Sequence, residues 1–423
     1  MFWTAALASP KWKRALSYLV GSTATLGCIF ATSASFVLTG QIYLATVETY
    51  HRTYVAKTYQ IWLVVVAIAC VSILVNTIWV KAMPTILRAV VYFLLASTVY
   101  IMTALLVRTT PKASAATVFL DVVNDTGWSS HGLVFLLCLL PGSTAVSAFD
   151  CATHLTEELP RPDRQVPQIM LSTAVLSAGS GLVMVLVYLF CATNPQALIA
   201  PLGGQPVFQV FHDSLDSDAL LITALSIFCI EYMVACIAVV TTSSRVLWTF
   251  AAHGGIPFGS FLGHVSKADK IPQNAVVVVS VVGILLSTLV LGPTAILNAM
   301  FGATAICTTI SIGVPIAILL LNQRTSLPRS RYINLGRGGP LINILSICWL
   351  LTLAFFVSMP LYLPVTASNM NYAMPLVVVA IGLVAINWYG YSRKVFIVPR
   401  PLYIEGFSTL GPISPIEVKT TTQ

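Results

Sequence analysis

Long apolar runs alternate with short polar joints along the whole chain, and the runs have membrane length. A helix needs about 20 consecutive apolar residues to cross the hydrocarbon core of a bilayer. Ten stretches qualify, near 16–47, 60–79, 83–107, 131–152, 168–192, 219–243, 274–292, 296–321, 341–363 and 373–391. Backbone polar groups in lipid must be satisfied within the segment itself, which leaves helices as the reading of such runs. The pattern therefore predicts an all-α polytopic membrane protein with about ten transmembrane helices. Residues 1–400 form one transmembrane domain in this reading, and the polar, proline-bearing stretch 401–423 a short cytoplasmic tail.

The fourth run differs from the others. Between Leu136 and Pro167 the chain starts as a membrane helix and is expected to break at Pro141-Gly142-Ser143. It then carries a carboxylate, Asp150, and leaves the apolar phase through His154, Glu157 and Glu158. A break frees backbone groups that lipid cannot satisfy, so it is tolerated only against protein or a polar cavity. Broken helices near the midplane are where secondary transporters hold substrate and ions. Solute transport is the expected function, with Ser143, Thr144, Ser147 and the backbone around them as candidate substrate ligands. The N-terminus of the half-helix after the break could take a carboxylate group.

Composition narrows the alternatives. The chain is 57% hydrophobic and only 9% charged, against about a quarter charged in soluble domains. A globular enzyme on an anchor is excluded. Nine cysteines are scattered without a CxxC pair, so no zinc or redox centre is expected, and no metal or cofactor. The sequence holds no HExxH, no phosphate-binding glycine loop and no ATPase motif, which argues against a membrane enzyme and against direct coupling to ATP. The N-terminus is apolar first and basic second, the reverse of a secretory signal.

Charge gives an orientation. With the N-terminus in the cytoplasm, 18 of the 22 Lys and Arg residues fall on inner joints, and only Arg52, Lys57, Arg108 and Lys112 on outer ones. Both termini are then cytoplasmic. The net charge of +8 does not point to nucleic acid, because the basic residues sit at helix ends. Asn124-Asp125-Thr126 lies in the outer joint 108–130 and makes Asn124 a candidate glycosylation site. The outer joint 193–218 is acidic, and the inner joint 244–273 reads as a connector that turns at Gly254-Gly255-Ile256-Pro257.

Two acids fall clearly inside apolar runs, Asp150 and Glu231. An ionisable group at membrane depth costs about 2.5–3.5 kcal/mol on insertion scales and is a functional candidate by default. No Lys or Arg stands inside a run to pair with either. Unpartnered acids suit a cationic or zwitterionic substrate, or a proton, better than an anion. Each acid also has a structural reading. Asp150 could cap polar groups near the inner surface, and Glu231 could bond to a neighbouring helix as a neutral acid.

Several stretches resemble one known family. Asp150-Cys151-Ala152-Thr153-His154-Leu155-Thr156-Glu157-Glu158, followed by Val166-Pro167, is similar to the GYDAAxHMSEE…VP signature of fungal amino acid, GABA and choline permeases, of the amino acid–polyamine–organocation superfamily. Ser244-Arg245 through Gly254-Gly255-Ile256-Pro257-Phe258 resembles the family's SRxxWAFARDGGLPF loop. Asn334-Leu335-Gly336-Arg337 resembles FxLGRxG, and Pro364-Val365-Thr366 with Asn369-Met370-Asn371-Tyr372 resembles PVTxxxMNY. The resemblance implies a five-plus-five inverted-repeat transporter fold with two extra C-terminal helices. It aligns the N-terminal segment with the stretch just before the family's third helix, so the chain is expected to be a remnant holding family helices three to twelve. The aromatic positions ahead of the Asp150 step fall on Thr144 and Val146. Only Asp150 carries over as a family site residue, linked there to proton coupling or substrate contact.

The expected function is thus a proton-coupled permease for amino acids or small amines such as GABA or choline, in a plasma or vacuolar membrane. Its partners would be the small solute, the proton and the lipid bilayer. The alternative is a truncated relative, or an incomplete reading of its gene, that does not transport and at most regulates another protein.

Overall fold

The computed structural model describes residues 1–399 except 52, 123, 147–148, 267–270, 293–295 and 325–331; at 154–155 and 157–158 it describes the backbone alone. The expected tail 401–423 lies outside the described residues. Regular structure among the described residues is entirely helical. In chain order the α-helices are α1 (Phe2–Leu7), α2 (Lys13–Tyr50), α3 (Thr58–Thr77), α4 (Met83–Arg108), α5 (Ala115–Phe119), α6 (His131–Leu137), α7 (Leu139–Ala145), α8 (Pro162–Cys191), α9 (Pro206–Ser214), α10 (Asp218–Ala252), α11 (Gly259–Leu262), α12 (Gln273–Ser287), α13 (Ile296–Leu321), α14 (Gly339–Val357) and α15 (Ala373–Asn387). Nine of these, some with an adjoining turn, are long and apolar enough to cross a membrane. The tenth predicted span is the pair α6 and α7, a shorter apolar stretch interrupted in its middle.

Two boundaries differ from the hydropathy reading. The helix α10 runs on to Ala252, through a segment read above as the start of a cytoplasmic connector. No Gly or Pro interrupts the chain between Asp218 and Ala252, so nothing stops the backbone where the hydropathy falls. At the other helix, α8 begins at Pro162 rather than near 168, because proline at the first helical position needs no N–H and is already set to helical φ.

The bundle is built around α2. Over half of its apolar window is buried (56%), against 11% for α8, and α3, α10, α12 and α13 pack along it. Small residues make this possible. A side chain at Gly27 would come within 3.3 Å of the Cys307 Cβ on α13, so glycine lets the two backbones approach. Phe36 and Val37 of α2 are fully buried with Val65 of α3 and Val240 of α10. Phe30 lies with Ala303, Ile306 and Cys307 of α13.

Contacts at the helix ends sort the joints into two faces. On one face, Tyr18 near the start of α2 packs against Phe250 at the end of α10, with Trp388 and Phe396 beyond α15. Asn322, just past α13, donates to the Leu7 carbonyl of α1 at 2.7 Å. On the other face, Tyr50 at the end of α2 donates to the Asp218 carbonyl at the start of α10, and the Leu363 N–H reaches the Thr126 carbonyl.

Candidate functional site

The broken segment sets the site. Its interruption falls at Cys138 (φ −79°, ψ 7°), between α6 and α7, and not at Pro141–Ser143 as expected. The physical reason is the proline itself. The ring at position i collides with the carbonyl at i−4 and leaves it without a donor. For Pro141 that carbonyl belongs to Leu137, the last residue of α6, so the helix opens one turn upstream while Pro141 sits inside the first turn of α7. The α7 helix ends at Ala145, and a ten-residue 3-10 helix follows from Phe149 to Glu158.

The hydroxyls nominated as substrate ligands turn back on their own helix. Ser143 donates to the Leu140 carbonyl at 2.9 Å and Thr144 to the Pro141 carbonyl at 2.8 Å. Ser147 lies outside the described residues. A role for Ser143 or Thr144 as a donor to a solute requires these local bonds to open.

Asp150 occupies the first turn of the 3-10 segment and is half-buried. That segment packs on both α8 and α10. The carboxylate lies in electrostatic range of the Cys28 thiol on α2 and of the adjacent Cys151. A polar seam between α2 and α10 backs it. Ser243 donates to the Cys28 carbonyl at 3.1 Å, and the Thr32 hydroxyl is 2.9 Å from the Ser243 hydroxyl. Ser243 and Thr32 are buried. A carboxylate beside buried hydroxyls and half-buried thiols can hold a proton or an ammonium group.

Glu231 lies elsewhere. It is half-buried on α10 and accepts a hydrogen bond from Ser97 of α4 at 2.5 Å. Tyr188 of α8 and Tyr232 stand within electrostatic range. Ser243, on the Asp150 side of the seam, is 12 residues further along the same helix, which is roughly 18 Å of rise. Asp150 and Glu231 are therefore not brought into one pocket, and a single small amine cannot touch both. Asn124, the candidate glycosylation site, sits in the 121–130 loop and is half-buried. Its amide donates to the Trp128 carbonyl at 2.7 Å and its oxygen accepts from the Thr126 hydroxyl at 2.7 Å.

Comparison with known proteins accounts for this architecture. A family model described as "Amino acid permease" matches residues 1–381. The chain belongs to that family. It is similar to a choline transporter of Saccharomyces cerevisiae, 25% identical over 398 residues, covering 93% of this chain and 70% of that one. A polyamine transporter of the same yeast is 25% identical over 405 residues, covering 94% and 65%. An amino-acid permease of Arabidopsis thaliana is 23% identical over 411 residues, covering 93% and 78%. The chain thus spans about two thirds to four fifths of the length of these relatives. The family and these relatives are transporters and not enzymes, and this chain is an integral, multi-pass membrane protein of the amino acid–polyamine–organocation superfamily.

Sequence reasoning passed over several of the polar side chains that the fold brings together. Asn76 of α3 donates to the Ser72 and Ile237 carbonyls and accepts from the Thr241 hydroxyl at 2.6 Å. An asparagine inside an apolar run, near its end, was a visible signal. Cys28, Thr32 and Ser97 gave none, because hydroxyls and thiols are common in membrane helices and usually bond to their own backbone.

Proposed function

We propose that the chain is a secondary-active permease for a cationic or zwitterionic small solute, an amino acid or an amine such as GABA or choline, coupled to the proton. The observation that carries this reading is Asp150 beside the seam of Cys28 with the buried Thr32 and Ser243, next to a helix broken at Cys138. A carboxylate there gives an ammonium group a partner when ionised and gives the cycle a proton site when neutral. Relatives named for choline, polyamine and amino-acid transport support the amine class. In this reading both termini face the cytoplasm, the membrane is the plasma or vacuolar one, and alternating access opens the α7 side of the bundle against α2 and α10.

The test is uptake of labelled GABA, choline, and basic and neutral amino acids into cells expressing this chain, at two external pH values, with surface delivery confirmed. Saturable uptake that rises at acid pH and is lost in Asp150→Asn supports the reading. Absence of uptake by a correctly delivered chain would reject it in favour of a non-transporting relative.

A further inference from the structure

From Lys270 to Ile404 the chain has no aspartate or glutamate, yet it carries eight lysines and arginines. Arg324 stands in this stretch, just beyond α13. Its backbone is left-handed (φ 61°), as is that of Gln323 before it (φ 50°). Such a conformation costs a non-glycine residue about 1–3 kcal/mol and persists only where the surroundings hold it. Here the guanidinium is held across the start of α14. Nη1 donates to the Asn343 Oδ1 at 3.1 Å. The group lies so close over Gly339 that a Cβ there would stand 2.5 Å from Cζ. Asn343 is its one hydrogen-bond partner among the described residues, and no carboxylate faces it.

Asn343 is 8% exposed, and its Nδ2 is buried without an acceptor among the described residues. A buried amide donor left unpaired costs about 1–3 kcal/mol, and each such group in a native structure calls for a reason. Side chains on a helix lean toward its N-terminus, so this amide lies over the first turn of α14, beside Gly339 and the guanidinium. The α14 helix is 19 residues long, and a 3-10 turn over Gly336–Gly338 leads into it, its Gly338 and Gly339 N–H groups bonding to the Leu335 and Gly336 carbonyls. The positive end of its dipole points to the same place. A guanidinium with one neutral acceptor and an amide N–H with none among the described residues meet there, at the positive end of a helix.

We propose that this convergence is a phosphate-binding site, occupied by the phosphate headgroup of an anionic phospholipid. Charge and position both favour that occupant. The guanidinium fork matches phosphate oxygens, and helix N-termini receive them readily. The site lies where two helices of membrane length, α13 and α14, end, and Leu321, Leu341 and Ile342 on those ends are exposed and apolar. Basic pockets between membrane helices bind anionic headgroups in this way. The site does not depend on which solute the chain carries.

The test is thermal unfolding of the purified full chain in detergent micelles, titrated separately with phosphatidic acid, phosphatidylcholine and inorganic phosphate. Phosphatidic acid is expected to raise the midpoint saturably, and phosphatidylcholine to leave it unchanged. Arg324→Gln and Asn343→Asp should each raise the half-saturating concentration of phosphatidic acid about tenfold or more. Asn343→Asp provides the missing anion from within and keeps a partner for Arg324, so it remains folded even if Arg324→Gln does not. Arg393→Gln removes the same charge from an exposed position elsewhere and should bind as the parent does. Unchanged protection in Asn343→Asp, equal weakening in Arg393→Gln, or no protection of the parent chain would overturn the site. Full protection by inorganic phosphate, lost in the same variants, would overturn the lipid as its occupant.

Discussion

Ser97 of α4 donates its hydroxyl to the Glu231 carboxylate of α10 across 2.5 Å. One neutral donor offsets only part of the cost of a carboxylate at this depth. Glu231→Gln should therefore keep or raise the unfolding midpoint in detergent, because the amide removes the charge and retains an oxygen for Ser97. Ser97→Ala, which strands the acid, should cost about 1–3 kcal/mol. The reverse order of stabilities would show that the carboxylate is well accommodated. A Glu231→Gln chain that gains stability and loses uptake would mark the acid as kept for transport.

The distance between the two acids makes a second prediction. Groups more than about 10 Å apart with no shared partner act independently. Asp150→Asn and Glu231→Gln should then have additive effects on the logarithm of the uptake rate, measured with one substrate at one pH. A double variant no worse than the poorer single one would mean that both acids serve a single step.

At the Tyr18 end of the bundle, Asn387 donates to the Tyr18 hydroxyl and the Gly255 carbonyl, both at 2.8 Å, and lies 3.1 Å from the Ser392 hydroxyl. Asn387→Ala strands several groups and should cost about 1–3 kcal/mol, whereas Tyr18→Phe keeps the ring packing and should cost about 0.5–1.5. A methyl at Gly255 would stand 2.4 Å from the Phe250 ring. Gly255→Ala should thus reduce the folded yield, and Phe250→Leu in the same chain should restore part of it. Size-exclusion profiles of the four proteins decide the point.

Sidedness can be read from Asn124. With its loop outside, the asparagine should carry a glycan in a eukaryotic host, visible as a gel shift that endoglycosidase and Asn124→Gln both remove. Modification requires its amide to leave the Trp128 carbonyl, so a Trp128→Ala chain, with a looser loop, should be modified at least as completely. Absence of a glycan on both chains would speak against the outward placement.

Hydropathy made the helices legible because each span must satisfy its own backbone in lipid, which leaves a local signature. Helix ends were less legible. The α10 helix continues past Ser243 because backbone bonds, not membrane thickness, decide where it stops. Pro141 signalled the break, but its effect acts four residues upstream, at Leu137. The site itself was half legible. Asp150 and Glu231 stood out as charges, but their separation did not, since it depends on which face of α10 meets α4 and which meets the 3-10 segment. Thr32 and Ser243 are 211 residues apart in sequence, and nothing in either residue's neighbourhood announces the other.

The central helix α2 is gripped at its two ends by different forces. Near its start, Tyr18 is held by a ring cluster and by the Asn387 amide. Near its other end, Gly203 (φ 58°) presses on Ala45 so tightly that a Cβ would lie 2.5 Å from the alanine methyl. One clasp is polar and aromatic, the other a close steric contact near the Tyr50–Asp218 hydrogen bond. If the bundle rocks about α2 as about an axle, the two gates resist opening in different chemical terms. One would yield to the loss of a hydrogen bond, and the other would jam on the addition of one carbon atom.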